Sequence, residues 1–433
     1  MAAGPILIFD KSLLEALSPD EAVWLAQFYR VNMTPLFFVE TLADLEKEVD
    51  GGRTPEHVVG RLAEKTSVMG VDANVHHSRL CAGDLMGYRV EMRNYVVRGG
   101  GRSVQKGEQK GVIFDESEES KALGRWRAGE FMDVERQHAR AWRAALANLD
   151  LEATSEQFKP LVQGETRPKN LADIKRFADG VMNDPALSER TLGATLQTLG
   201  APYELWPAIF ERWKNAGKPV LPAFAPYAAH AMTVDLFFAL AIAAGFIAKE
   251  RPSNKADIAY LHYLPFCMVF ASMDKLHART VPLFLTGKQQ FIWGADLKAE
   301  LRRLDEHYSA LPEETKARGV MSFAHAPPTE GDFLTTRLWD EFMAPHWRKP
   351  RGPRRDPAAD PVERERVEKT LLELNEQLKS AGPAEREVRV KDADFVIIES
   401  KVPRRLGKWA IVPPEAAGEK IDDGSKPRGS TSS

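Results

Sequence analysis

The sequence predicts an α/β protein with a mostly parallel central sheet, a large helical insertion and a partly disordered C-terminal tail. Three observations carry this expectation. Residues 1–50 alternate strand and helix as β-α-β-α, and the same alternation resumes near residue 225. Three apolar runs also end in a carboxylate, as do strands that deliver acids to one edge of a parallel sheet.

A chain of 433 residues has room for one large domain with insertions or for a few smaller ones. At 43% hydrophobic and 28% charged residues, its composition is that of a soluble globular protein. The net charge of -3 supplies no global field for a polyanion, so any nucleic-acid site must be a local patch. Two cysteines make no disulfide framework. The opening "MAAGPILIFDKS" lacks a basic region followed by a long apolar stretch, so the expected location is cytoplasmic. Ala229–Ala248 is long enough to span a bilayer but contains His230 and Asp235; an Asp is costly in lipid, so a core helix and no membrane are expected.

Taken in order, "PILIFD" reads as a buried strand ending in Asp10. "SPDEAVWLAQFYR" starts a helix, with Ser18 as N-cap and Pro19 at the first helical position. "MTPLFFVE" reads as a second buried strand ending in Glu40, followed by a helix over "TLADLEKEV". The Gly-rich, basic segment Arg98–Gly111 reads as a flexible loop. Residues 124–149 read as one helix with a basic face, and "SERTLGATLQTLG" and "ELWPAIFERWKNAG" as shorter helices. Asp257 falls in the first turn of a helix after Pro252, "CMVFASMD" is a third strand ending in Asp274, "VPLFL" a fourth, and "DLKAELRRLDEHYSAL" an amphipathic helix. Beyond Trp347 come a Pro/Arg-rich linker, a helix with Val367, Leu371, Leu374 and Leu378 on one face, a small β element over 388–402 and a disordered end.

Acids at the carboxyl ends of parallel strands point into one crevice. Asp10, Glu40 and Asp274 are placed there, and a right-handed connection returns Asp257 to the same rim. Crowded carboxylates repel unless protonated or neutralised, and a hard cation, Mg²⁺ or Mn²⁺, is their natural partner. Against this stands the commoner role of an Asp after a strand, a helix N-cap. For "NVHHSRLC", a zinc site would need more ligands than His76, His77 and Cys81.

These residues resemble a PIN-like nuclease domain. "ILIFDKSLL" is similar to that family's opening strand, with Ser12 two positions after Asp10 rather than one. "TPLFFVETLADL" is similar to its second element, with Glu40 as the acid, and "NKADIAYLHYLPFCMVFASMDKLH" resembles its last motif through Asp257, Ser272 and Asp274. The resemblance implies a three-layer α/β/α sandwich that cleaves phosphodiesters, of RNA in the first reading, using a metal-activated water. Asp10, Glu40, Asp257 and Asp274 would be the catalytic and metal-binding residues, with Ser12, Ser272 and Lys275 contacting substrate. The nuclease core is expected over residues 1–50 and 221–345, a mainly helical insertion over 51–220, and linker and tail over 346–433. Basic residues between Arg93 and Arg143, with Trp126 and Trp142, are candidates to track and stack a nucleic acid. The alternative is a non-catalytic scaffold of the same fold, with the C-terminal helix as a protein-binding surface.

Overall fold

The computed structural model describes residues 4–49, 53–66, 75–94, 101–106, 108–114, 116–163, 167–348 and 403–412, the strand Phe395–Ile398 and a few single residues between 365 and 376. The protein is a mixed α/β molecule around a four-stranded parallel sheet. Its strands are β1 (Ile6–Phe9), β2 (Arg30–Asn32), β5 (Val269–Ser272) and β6 (Gln290–Trp293), in spatial order β2-β1-β5-β6. Alternate residues feed two separate cores: Ile6, Ile8 and Phe270 on one face, Leu7, Phe9, Val269, Ala271 and Ile292 on the other. Burial on both faces explains why β1 and β5 read as unbroken apolar runs.

The first helix start is as expected. Ser18 and Glu21 form a capping box, with Pro19 at the first helical position of Pro19–Phe28. Residues 33–40 are not a strand. Pro35 opens the helix Pro35–Val49, which carries Glu40, and the second strand is the shorter Arg30–Asn32. A short apolar run has no period that separates buried strand from buried helix, and here the proline at the start tips it to helix. "VPLFL" is likewise no strand: Val281–Leu283 is a 3₁₀ turn, and the fourth strand is Gln290–Trp293. Pro282 has no N–H to give to a central ladder.

Within 51–220 the basic loop contains an antiparallel pair, β3 (Arg102–Lys106) with β4 (Gln109–Phe114). The tail strand β7 (Phe395–Ile398) adds to β4 in parallel, so part of the expected C-terminal β element is present. The expected helix over 124–149 is two, Glu118–Arg127 and Asp133–Ala147. They are separated where Gly129 takes φ +77 and its N–H turns back to the Trp126 carbonyl.

Pro226–Ala243, at 18 residues and 78% buried, is long and apolar enough to cross a membrane but is enclosed by its neighbours. The C-terminal helix with Val367, Leu371, Leu374 and Leu378, most of the linker, and residues 413–433 lie outside the described residues. Residues 403–412 form a small hairpin, β8 (Arg405–Leu406) and β9 (Trp409–Ala410), against the helices Pro19–Phe28 and Gly294–Ser309. There the Trp409 indole donates to Asp305, and the Lys408 N–H to Asp20.

Candidate active site

β1 and β5 lie side by side, with Phe9 opposite Ala271. The chain leaves β1 for β2 on one side, and β5 for β6 on the other. Their carboxyl ends therefore flank a topological switch point, where open α/β sheets form crevices. Asp10 follows β1, and Ser272 closes β5.

Asp10 is buried and densely bonded. Its Oδ1 accepts the Leu13 N–H at 3.1 Å, capping Lys11–Ala16. Its Oδ2 accepts the hydroxyls of Ser272 at 2.6 Å and Ser12 at 2.8 Å. Ser272 Oγ also accepts the Asp274 N–H at 2.9 Å and lies 2.8 Å from His277 Nδ1. His277 Nε2 is 2.7 Å from the Asp257 carbonyl, which can only accept, so Nε2 carries a proton. With the Ser272 proton given to Asp10, Nδ1 must donate to Ser272, and the ring is an imidazolium 3.4 Å from Asp10 Oδ2. The electrostatics agree. Burial alone would push His277 down, but the hydrogen bond and charge of Asp10, with Asp257, raise it to about 9. Burial would raise Asp10, yet His277, Ser272 and Ser12 hold it below the ordinary carboxylate value.

The other acids have no such partner. Glu40, half-buried on Pro35–Val49, accepts the Tyr260 hydroxyl at 2.7 Å. Burial and the charges of Asp10 and Asp257 raise it to about 8, against Tyr260 and Lys11. Asp257 is raised to about 7 by burial, opposed by His277 and reinforced by Asp274, Asp10 and Asp44. Asp274 caps Lys275–Thr280 through the Leu276 N–H at 2.5 Å. The four acids named from sequence thus share one electrostatic neighbourhood, and two of them also do the capping that the commoner role predicts.

Four further participants escaped the sequence. Asp44 follows Glu40 by one helical turn, a spacing visible only once 35–49 is read as helix. Lys11 is buried with Nζ 3.2 Å from Asp44 and 3.1 Å from Glu15. Tyr260 and His277 complete the group; His277 comes one turn after Asp274, so it returns to the capped end of its helix. Ser272 is fully buried, with all its bonds internal, so it supports Asp10 from beneath instead of meeting substrate. Ser12 is half-buried against the same carboxylate, and Lys275 is exposed beside Asp274. Ser272, His277 and Asp10 do not form a nucleophilic triad: Asp10 holds the serine oxygen instead of orienting the histidine, and that oxygen is buried.

Outside the crevice, Asp235 is ion-paired with Lys255 and lies 3.5 Å from His262, which accounts for this buried acid. His230 is a satisfied core histidine, bonded to the Leu261 carbonyl at 2.9 Å. Trp126 is buried and cannot stack a base, whereas Trp142 is exposed. Arg125 is paired with Glu135 at 2.8 Å and Arg136 with Glu56, so these two arginines clamp the helix Asp133–Ala147. Among the described residues, no three His, Cys, Asp or Glu side chains are spaced to close around a metal ion. No family model, no curated protein and no solved structure matches the chain.

Proposed function

We propose that the protein is a Mg²⁺- or Mn²⁺-dependent nuclease with a PIN-like, three-layer α/β/α core that hydrolyses RNA phosphodiesters. The observation that carries this is the pair Glu40 and Asp257, delivered from separate helices to the switch point and both pushed toward neutral pH by burial and by their acidic neighbours. Carboxylates in that condition favour a cation, and all-oxygen donors suit a hard one. Mg²⁺ typically needs only one or two carboxylates and keeps its remaining ligands as water, so a crevice without a closed ligand set fits it.

Glu40 and Asp257 would hold the ion, with Asp274 and the remaining acceptor capacity of Asp10 Oδ1 beside them. Bound there, the metal would stabilise charge on the phosphoryl oxygens and lower the pKa of a water. The protein's own part is positioning. Ser12, Ser272 and His277 fix Asp10, and Tyr260 fixes Glu40. Lys275, exposed next to Asp274, offers a charge to the phosphate backbone.

The test is cleavage of end-labelled single-stranded RNA and DNA by the full chain, with Mn²⁺ or with chelator. RNA cleavage that needs metal and disappears in both Glu40→Gln and Asp257→Asn is expected. Cleavage indifferent to chelator and to both variants removes the proposal. The capping by Asp10 and Asp274 favours a second reading, a non-catalytic scaffold. It takes over if the folded chain cleaves nothing with Mn²⁺ yet retains RNA or a protein partner.

A further inference from the structure

The helix His77–Met86 is held by different chemistry at its two ends. Near its last turn, Asp84 accepts the N–H groups of Tyr227 and Ala228 at 2.7 and 3.1 Å, and Arg212 donates to the Asp84 and Leu85 carbonyls. Its start is held by histidines. His76 is the N-cap: its Nδ1 accepts the Ser78 N–H at 3.3 Å and stands 2.7 Å from the Ser78 hydroxyl. A ring nitrogen that accepts an N–H carries no proton of its own, so the cap requires His76 to be neutral. The His76 ring lies on His77 with centroids 4.7 Å apart, and His77 lies on His262 at 4.4 Å. The His77 N–H donates to the Tyr263 hydroxyl at 3.0 Å.

This stack of three rings is poorly equipped to take up protons. His262 is buried, and among the described residues neither of its ring nitrogens has a hydrogen-bond partner; nor has His77 Nδ1. The carboxylate facing the stack is Asp235, 3.5 Å from His262 Nε2, and Lys255 is already paired with it. Asp235 can therefore offset one imidazolium at most, and a second would stand against the first at ring-contact distance. His76 and His77 also sit at a helix N-terminus, where the dipole opposes positive charge. The remaining groups around the helix do not reverse this. Asp84 is spent on Tyr227 and Ala228, Arg212 is a further cation, and His230 is bonded to the Leu261 carbonyl. Burial, with His262 and His76, pushes His77 down to about 2, and burial with His262 lowers His76.

We propose that the His76–His77–His262 stack is an acid-released latch, which holds the start of the helix His77–Met86 on the core at neutral pH and frees it below about pH 6. A histidine lowered in the closed form keeps its contribution above its ordinary value of 6.5 and loses it as pH falls below that. Between pH 7.5 and 5, proton uptake by His77 alone should raise the open fraction about thirtyfold. Release uncovers Cys81, which is 1% exposed and lines a cavity of about 230 Å³ with Leu85, Leu199 and Pro202. The latch is independent of the metal site above.

The experiment is thiol labelling of the full chain with 4,4′-dithiodipyridine, which reacts in acid as well as at neutral pH. Labelled cysteines are located by mass spectrometry, and rates are divided by that of a cysteine peptide at the same pH. From pH 7.5 to 5 the relative rate at Cys81 should rise by at least about tenfold, while Cys267, fully buried in the sheet core, stays protected. His77→Phe, which keeps a stacked ring that cannot charge, should cut the rise to less than about threefold. His76→Asn, a good N-cap that does not titrate, should reduce it further when added to His77→Phe. If His77→Phe does not fold, His77→Gln carries the same expectation. A Cys81 rate that stays flat with pH in wild type overturns the latch. So does a Cys81 rise as large in the His77 variants as in wild type. Labelling of Cys81 and Cys267 together overturns it as well, since acid then opens the whole molecule.

Discussion

Replacing His277 by alanine tests the buried ion pair beneath the crevice. The substitution removes a charged donor from the Asp257 carbonyl at 2.7 Å and from Ser272 Oγ at 2.8 Å. It also leaves Asp10 without its cation at 3.4 Å. Hydrogen bonds from a charged group contribute about 1.5–3 kcal/mol each, and breaking one partner of a buried pair costs about 3–5 kcal/mol. We expect a loss of about 4 kcal/mol at pH 7 in urea unfolding with chelator present. Asp10→Asn should also destabilise the protein, and the double variant should lose less than the sum by about 2 kcal/mol, because neither charge is then stranded. The pH dependence has a definite sign. His277 is raised in the fold to about 9, so its contribution is complete below its ordinary value of 6.5 and is lost as pH rises through about 9. Asp10 is lowered, so its contribution holds above 3.8 and is lost as pH falls below it. The gap between wild type and His277→Ala should therefore be widest between about pH 4 and 6.5 and narrow as pH rises toward 9. An additive cycle, or a gap that does not change between pH 6.5 and 10, refutes the ion pair.

Three other outcomes follow from the same geometry. Glu40 is raised to about 8, so the chelated protein should lose stability as pH rises from about 5 to 8. Glu40→Gln, which still accepts from Tyr260, should flatten that loss, and an identical pH profile in thermal unfolding counts against the crowding of charges. Asp274→Asn keeps a good N-cap and should change stability by less than about 0.5 kcal/mol, whereas Asp274→Ala should lose about 1 kcal/mol. Both should lose metal-dependent cleavage, and a fully active Asp274→Asn restricts Asp274 to capping. A Cβ at Gly294 would stand 3.0 Å from the Met273 backbone nitrogen, between Ser272 and Asp274. Gly294→Ala should therefore lower activity more than Mn²⁺ affinity, and unchanged turnover shows that the end of β5 yields without consequence.

The sequence made β1, β5 and the acids at their ends legible because strands buried on both faces are continuously apolar and stop at polar residues. The same property misled at 33–40, where an apolar run beside Pro35 is helix. Glu40 still belongs with the other acids, since a helix reaches the same rim from another direction. The hairpin at 102–114 was hidden by its glycines and charges, and its apolar residues Val104, Val112, Ile113 and Phe114 are too few to outweigh them. His277 and Lys11 were not legible as site residues. A buried charge is recognised by its partner, and Asp10 for His277 and Asp44 for Lys11 come from distant parts of the chain, although Ser272 and Glu15 are local. The ion pairs of Arg125 and Arg136 are the reverse case: residues that look like an open basic face are already occupied.

The hydrogen bond from Ser272 to Asp10 joins residues 262 positions apart. During synthesis, β1 and β2 emerge first and stay a two-stranded fragment while the whole helical segment is made. Two strands alone are marginal in water, and an unpaired strand edge invites wrong partners. The ribosome therefore releases most of the polypeptide before β1 can meet β5, and the hairpin that packs Trp409 on Trp24 comes later still. Folding of this molecule is expected to be slow, since long-range pairing must precede the contacts that reward it. An incomplete chain ending before residue 272 would display β1 as a bare edge, a natural target for chaperones.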